Sequence, residues 1–213
     1  MDKLSKYKSI RDKNKTPEPF TGDDKHPDKL VFVVQKHRAT ALHYDFRLEV
    51  GGVMPSWAVP KGPSLDCGIR RLAMKTEDHP LDYRHFEGEI PQGEYGGGKV
   101  IIWDKGTYYP EVEFPMSNVK FPMSDKNKKK RLAIENKKEG ERVIEEGIEK
   151  GEIKFFLNGK RLKGSYALVR TKGFPPGSSR DTWLLIKHKD EFAKAGFDAK
   201  DYVKSVVSDK ELI

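Results

Sequence analysis

His37, His43, Asp45 and Arg47 lie within one short stretch of the chain, and their spacing gives them chemical interest. Residues i, i+2 and i+4 of a β-strand share a face, so His43, Asp45 and Arg47 project side by side if the stretch is extended. His37 precedes that strand by a short turn and can fold back beside it. Two imidazoles and a carboxylate form a facial donor set. It suits Mn²⁺, Fe²⁺, Co²⁺ or Zn²⁺ and leaves positions open for water and substrate. Arg47, one step further along the face, can hold a phosphate oxyanion with its planar fork. An antiparallel strand with a polar, solvated face meets the same spacing. Spacing alone leaves both readings standing.

Further polar groups extend the first reading. Lys61 sits in a Pro/Gly-framed turn, Trp57-Ala-Val-Pro-Lys-Gly-Pro63, and the segment from Arg71 to Tyr83 adds a cation, a carboxylate, His79 and a phenol. A phosphoryl-transfer site needs cations for the equatorial oxygens, a Lewis acid and a proton donor for the leaving oxygen. His79, at an unperturbed pKa of about 6.5, suits the donor role or a further oxyanion contact. Taken singly, His79 before a proline reads equally as a turn residue, and Lys61 as an exposed one.

The elements that must position these groups are mostly short strands. Leu30–Gln35 is apolar and β-branched, as in a buried strand. From Leu42 to Val50 the apolar residues alternate with His43, Asp45, Arg47 and Glu49, and Gly51-Gly52 offers a turn into Val53–Val59. Further strands are expected at 71–76, 98–103, 107–109, 152–157, 164–170 and 182–187. Residues 1–28 read as an arm without regular structure. Residues 126–150, rich in Lys, Glu and Arg, read as a solvated helix or mobile insertion outside the core. The 191–213 tail reads as one or two short amphipathic helices. The expected fold is therefore mainly β: a single-domain β-barrel with short peripheral helices and a charged insertion over 110–151.

Composition narrows the setting. The chain's 213 residues carry 41 Lys+Arg against 33 Asp+Glu, a net charge of +8. Residues 1–110 contribute +2 and residues 111–213 +6, densest at Lys126, Lys128, Lys129, Lys130 and Arg131. This excess points to a polyanionic partner such as nucleic acid, or simply to a lysine-rich surface. No apolar run reaches the ~18–20 residues of a membrane span, and the N-terminus lacks an apolar signal region. The single Cys67 excludes an internal disulfide framework and a cysteine-based zinc site. A soluble, cytoplasmic monomer is expected.

At its polar motifs the sequence resembles a known family, the 3′-phosphoesterase domain of bacterial DNA ligase D and its stand-alone relatives. The resemblance rests on Phe32-Val-Val-Gln-Lys-His37, Leu42-His-Tyr-Asp-Phe-Arg-Leu-Glu49, Ser56-Trp-Ala-Val-Pro-Lys-Gly-Pro63 and Glu77-Asp-His-Pro-Leu-Asp-Tyr83. Phe86–Gly98, with its Gly93-Glu-Tyr-Gly-Gly-Gly98, and Phe155–Gly164 follow in order. It covers about residues 11–190.

The resemblance implies a β-barrel over 29–190 and a Mn²⁺-preferring enzyme, with Co²⁺ or Zn²⁺ as substitutes. Such an enzyme removes a terminal ribonucleoside from a primer-template 3′ end and then the 3′-phosphate left behind. It implies His37, His43 and Asp45 as metal ligands and Arg47 and His79 on the scissile phosphate. Lys61, Arg71 and Tyr83 would support them, and Gln35 and Glu77 fall at active-site polar positions. Arg11, Asp12 and Glu18 match a motif on which the monoesterase step depends, so the arm is expected to pack over the site. Lys13-Asn-Lys15 stands where an aromatic commonly follows the Arg-Asp pair. The ligase motif Lys-x-Asp-Gly is absent, so sealing is expected of a separate ATP-dependent DNA ligase acting with end-joining factors. The alternatives are a non-catalytic basic β-barrel that binds DNA ends or a ligase partner, and a hydrolase of small phosphoesters.

Overall fold

The alternating strand at Leu42–Val50 needs an apolar interior on one side, and the structure, a computed structural model, closes one around it. The described residues are 2–21, 27–114, 130–171 and 181–213. Twelve strands are present among them. β1 (Val31–Arg38), β2 (Leu42–Leu48), β3 (Val53–Met54), β4 (Ser56–Val59), β5 (Arg70–Lys75) and β6 (His79–Pro80) fill the first part. β7 (Gly88–Ile90), β8 (Gly98–Phe114), β9 (Lys130–Ala133), β10 (Glu152–Gly159), β11 (Lys163–Arg170) and β12 (Thr182–Lys187) complete them. Eight pair antiparallel in the order β1-β2-β4-β5-β12-β11-β10-β8, and β1 pairs with β8 to close the barrel. The expected mainly-β barrel is the observed fold.

Inside lie Phe32, Val34, Tyr44, Phe46, Leu48, Trp57, Trp103, Phe155, Tyr166 and Trp183, all buried in one cluster. Large aromatic side chains each remove much apolar area from water, worth about 25 cal/mol per Å², which compensates for a sequence lean in aliphatics. Closure leaves β1 hydrogen-bonded on both edges. His37 stands directly opposite His43 on β2, Gln35 opposite Asp45 and Val33 opposite Arg47.

Several local expectations change. The solvated face of β2 is not solvated: Asp45, Arg47 and Glu49 are buried. The cover comes from distant sequence. Met54 and Leu81 pack with Val33 and Ile102 outside the barrel wall, and the N-terminal arm bonds to Glu77 and Tyr83. That arm is ordered over 2–21, with a short helix α1 (Ser5–Ser9) and Tyr7, Thr16 and Glu18 buried. Its aromatic anchor, Tyr7, lies upstream of the Arg-Asp pair rather than after it. The two strands expected at 98–103 and 107–109 form one, β8, because Gly106 lets the chain pass β10 so closely that an added Cβ would lie 2.1 Å from the Asn158 carbonyl oxygen.

Helix α2 (Lys137–Lys150) also departs from expectation. Asn136 caps it by accepting from the Glu139 amide, and Gly151 ends it at φ 87°. Its exposed side carries the Glu139–Arg142–Glu146–Lys150 ion pairs. Its inner side sets Ile144 into the core, with Gly140 and Gly147 also buried. The 126–150 stretch is therefore not wholly outside the core: sparse apolar residues suffice when glycines let the helix sit close. Lys137, in the first turn, lies 3.1 Å from buried Glu49 on the chain continuing from β2.

The 191–213 tail is not an amphipathic helix. Its only helical turn is Ala199–Asp201, capped by Asp198. Gly196 at φ 71° interrupts the run, and the segment is held by buried Phe197, Ala199 and Leu212. Among the described residues no helix is long and apolar enough to cross a membrane.

If α2 belongs to the core, Ile144→Ala lowers unfolding free energy by about 2–4 kcal/mol. Lys138→Ala on the same helix changes it by less than about 0.5 kcal/mol. Urea denaturation of the two variants checks this, and equal effects would return α2 to the surface.

Candidate active site

A cleft of about 200 Å³ opens on the outer side of β1 and β2, lined among others by His37, His43, Asp45, Arg47, Glu77 and His79. At its base the two histidines face each other across the strands, ring centroids 4.7 Å apart. His37 Nδ1 lies 3.4 Å from one Asp45 oxygen and His43 Nε2 lies 3.7 Å from the other. One donor atom from each of the three lies within 4.8 Å of the rest.

The far ring nitrogens settle how the imidazoles are presented. His37 Nε2 is 2.8 Å from the Gly96 carbonyl oxygen, and His43 Nδ1 is 3.0 Å from that of Ala41. A carbonyl only accepts, so in the neutral rings these nitrogens carry the protons. The lone pairs are then left at Nδ1 of His37 and Nε2 of His43, both toward Asp45. Two neutral imidazoles and a carboxylate, each imidazole oriented from behind, fit a divalent ion at bond lengths of about 2.1 Å.

The Gly96 carbonyl reaches His37 because the loop before β8 turns sharply. Gly96 has φ 76°, and an added Cβ on Gly98 would stand 2.1 Å from the Arg38 carbonyl oxygen.

Arg47 is fixed on three sides. Its Nε donates to Gln35 at 2.7 Å, Nη1 donates to Ser56 at 2.9 Å, and Nη2 lies 3.2 Å from Asp45. Gln35 in turn donates to the carbonyls of Tyr83 and Phe86. Burial alone would raise the Asp45 carboxyl, but the Arg47 guanidinium beside it holds it well below the usual carboxylate range.

The arm supplies the opposite wall. Arg11 Nε donates to Glu18 at 3.0 Å and Nη1 to Glu77 at 2.9 Å, while Nη2 is 3.3 Å from His79 Nε2. Thr16 and Tyr83 donate to the two Glu18 oxygens at 2.7 and 2.8 Å. Burial pushes the Tyr83 phenol well above its ordinary value, so it stays a donor. His79 Nδ1 faces the Glu77 carbonyl at 2.9 Å. Burial, with Arg47 and Arg11 nearby, pushes the His79 pKa well below its ordinary value. The imidazole is therefore neutral, with its Nε2 lone pair toward Arg11. The unperturbed pKa assumed for a proton donor at His79 does not hold here.

Not every expected residue gathers at the cleft. Lys61 is exposed in the turn after β4, and neither it nor Arg71 on β5 lines the cleft. Asp12 points outward, accepting from the Asn14 amide and 3.8 Å from Lys15. Lys126, Lys128 and Lys129 lie outside the described residues, and Lys130 and Arg131 enter only as backbone of β9. Conversely, Tyr7, Ser56, Tyr95 and Gly96 belong to the site although no role was read for them. Ser56 had one available signal, since the strand after Gly51-Gly52 runs back beside Arg47. Tyr7 and Tyr95 had none in their spacing.

The family model described as the DNA Ligase D 3′-phosphoesterase domain matches residues 35–170. The "Multifunctional non-homologous end joining protein LigD" of Pseudomonas aeruginosa is 41% identical over 216 residues, covering 99% of this chain and 22% of that protein. The "Multifunctional non-homologous end joining DNA repair protein LigD" of Mycobacterium tuberculosis is 41% identical over 191 residues, 89% of this chain and 20% of its own length. The Mycolicibacterium smegmatis protein is 39% identical over the same length. This chain thus spans about a fifth of these relatives.

A buried neutral histidine has a pH signature. The unfolded chain takes up a proton at His79 below about pH 6.5 while the folded one resists it, so stability falls as pH drops through that value. His79→Gln removes this contribution and flattens the slope by up to about 1.4 kcal/mol per pH unit. Denaturant titrations between pH 7 and 5 measure it, and an unchanged slope would mean that His79 is protonated in the fold.

Proposed function

The chain belongs to the DNA ligase D 3′-phosphoesterase domain family, and from that premise we propose that it heals DNA 3′ ends in break repair. The reading has two steps. First, attack of water on the terminal phosphodiester breaks the bond to O5′ of a 3′-terminal ribonucleoside, which leaves with a protonated 5′-oxygen. The strand then ends in a 3′-phosphate. Second, water attacks that phosphate and breaks the P–O3′ bond, releasing inorganic phosphate and a 3′-OH that a separate ATP-dependent ligase can seal. The observation that carries the reading is the His37–His43–Asp45 set, with His37 and Asp45 buried and His43 half-buried, joined directly to Arg47 in one cleft.

His37 through Nδ1, His43 through Nε2 and Asp45 would hold a divalent ion, with Mn²⁺ favoured by the resemblance and Co²⁺ or Zn²⁺ able to replace it. When bound, such an ion supplies a Lewis acid for phosphoryl oxygens. Arg47 has five N–H donors, three of them engaged by Gln35, Ser56 and Asp45. The remaining two can meet a phosphoryl oxygen, and because the guanidinium is already fixed it needs no reorganisation to do so. His79 contributes a neutral acceptor that orients Arg11 beside the same space. Arg11, clamped by Glu18 and Glu77, brings a second cation to a dianionic phosphomonoester, the more highly charged of the two substrates. This supports a larger demand on the arm in the second step. Lys61 and Arg71 have no direct contact role in this scheme.

The test uses labelled primer-templates ending in a ribonucleotide or in a 3′-phosphate, run with Mn²⁺, Mg²⁺, Zn²⁺ or EDTA. Mn²⁺ converts both to a 3′-OH, EDTA abolishes conversion, and Asp45→Ala lowers the rate at least about 10³-fold while losing Mn²⁺ binding by calorimetry. Full activity in Asp45→Ala would remove the metal site from the mechanism. No conversion with any metal alongside a normal gel shift would favour a DNA-end-binding module. Glu18→Ala, which frees Arg11 and Tyr83, slows phosphate removal more than ribonucleoside removal. Equal loss in both steps would deny the arm a separate role.

A further inference from the structure

We propose that Tyr95 is the platform on which the 3′-terminal base of the substrate strand stacks, an inference that rests on the end-healing reading above. Among the described residues three large apolar side chains are exposed, Tyr95 at 51%, Val207 and Ile213. Only Tyr95 is aromatic, and only Tyr95 lines the cleft. Every other aromatic side chain near it, Tyr7, Tyr83 and Phe86, is at least half covered by the protein.

The ring is held in place. The Arg11 guanidinium lies 5.0 Å from its centroid, with Tyr7 at 4.0 Å from the same cation. Burial, with the Glu77 carboxylate close by, raises the pKa of its phenol, which therefore keeps its proton. Its backbone stands between Gly93 at φ 93° and Gly96 at φ 76°. A cation beside an aromatic ring costs little and restrains it, so the exposed remainder of Tyr95 is a fixed surface.

Position and size point to a base. Tyr95 adjoins Gly96, whose carbonyl anchors His37, so the ring lies at the lip beside the proposed phosphate position. The cleft's volume of about 200 Å³ is below the roughly 300–1,000 Å³ of sites that enclose a drug-sized ligand. A phosphate seated at Arg47 therefore leaves its base, one sugar away, at the lip. Stacking on an aromatic ring accepts any base, because each presents a π-face. Tolerance of sequence suits a protein that meets ends of arbitrary sequence.

The test compares wild type, Tyr95→Ala, Tyr95→Phe and Tyr95→Trp on ribonucleotide-ended primer-templates. One set carries a terminal base and the other a terminal abasic ribose. Tyr95→Ala raises KM about 10- to 100-fold on the base-bearing end, with kcat within about twofold. Phe and Trp restore KM, and the abasic end narrows the gap between wild type and Tyr95→Ala to a small factor. Independently, a terminal 2-aminopurine is quenched on binding to wild type in EDTA and stays bright with Tyr95→Ala. Equal KM values on the base-bearing end, or the same penalty on both ends, would overturn the proposal. If wild type turns over neither end, the end-healing reading fails, while the 2-aminopurine signal still decides whether Tyr95 meets the base.

Discussion

Charge in the cleft is out of water, and leaving one member of a buried ion pair alone costs about 3–5 kcal/mol. That obligation governs how the site is built. Asp45 satisfies Arg47 and is itself kept ionised by it, while Gln35 and Ser56 take the remaining geometry of the guanidinium. Arg11 is bound in the same way by Glu18, Glu77 and His79. Neither arginine can move without exposing the others' unmet charge. The arm is therefore docked by electrostatics as much as by the packing of Tyr7, and the site is preorganised before any ligand arrives.

The barrel supplies what a charged cluster cannot supply for itself. Its interior aromatics make β1 and β2 a rigid wall, and closure through β8 leaves no free edge on either strand carrying a proposed ligand. Loops then do the orienting. The Gly96 and Ala41 carbonyls decide which nitrogen of each imidazole is left to face Asp45. A strand sets where the rings stand, and a loop sets how they are turned.

Much of this was legible in the chain. The alternation of Leu42–Val50 revealed the strand, and the His43-x-Asp45-x-Arg47 spacing revealed which side chains share its face. What local pattern could not reveal is what covers that face. A polar strand face reads as solvated unless the cover is known, and here the cover comes from residues 2–21 and 77–85, remote in sequence. Helix α2 was misread for a related reason: a charged segment needs only Ile144 and two glycines to join a core, too weak a periodicity to stand out. The tail failed through its punctuation, since Gly196 and the Asp198 cap break helical continuity. For Lys61 the Pro/Gly-framed turn was legible, but the side on which it sets the lysine, exposed and off the cleft, was not.

The two imidazoles are cross-strand neighbours, and this separates the distance between them from the length of the turn that joins them, while the Ala41 carbonyl of that turn still sets how His43 is rotated. Their distance follows from the spacing of paired strands, not from the length of Ala39-Thr40-Ala41. Residues can be inserted into or removed from the outer part of that turn without parting the rings. Descendants of this fold are thus free to remodel the outer part of that turn while keeping the ring separation beneath it.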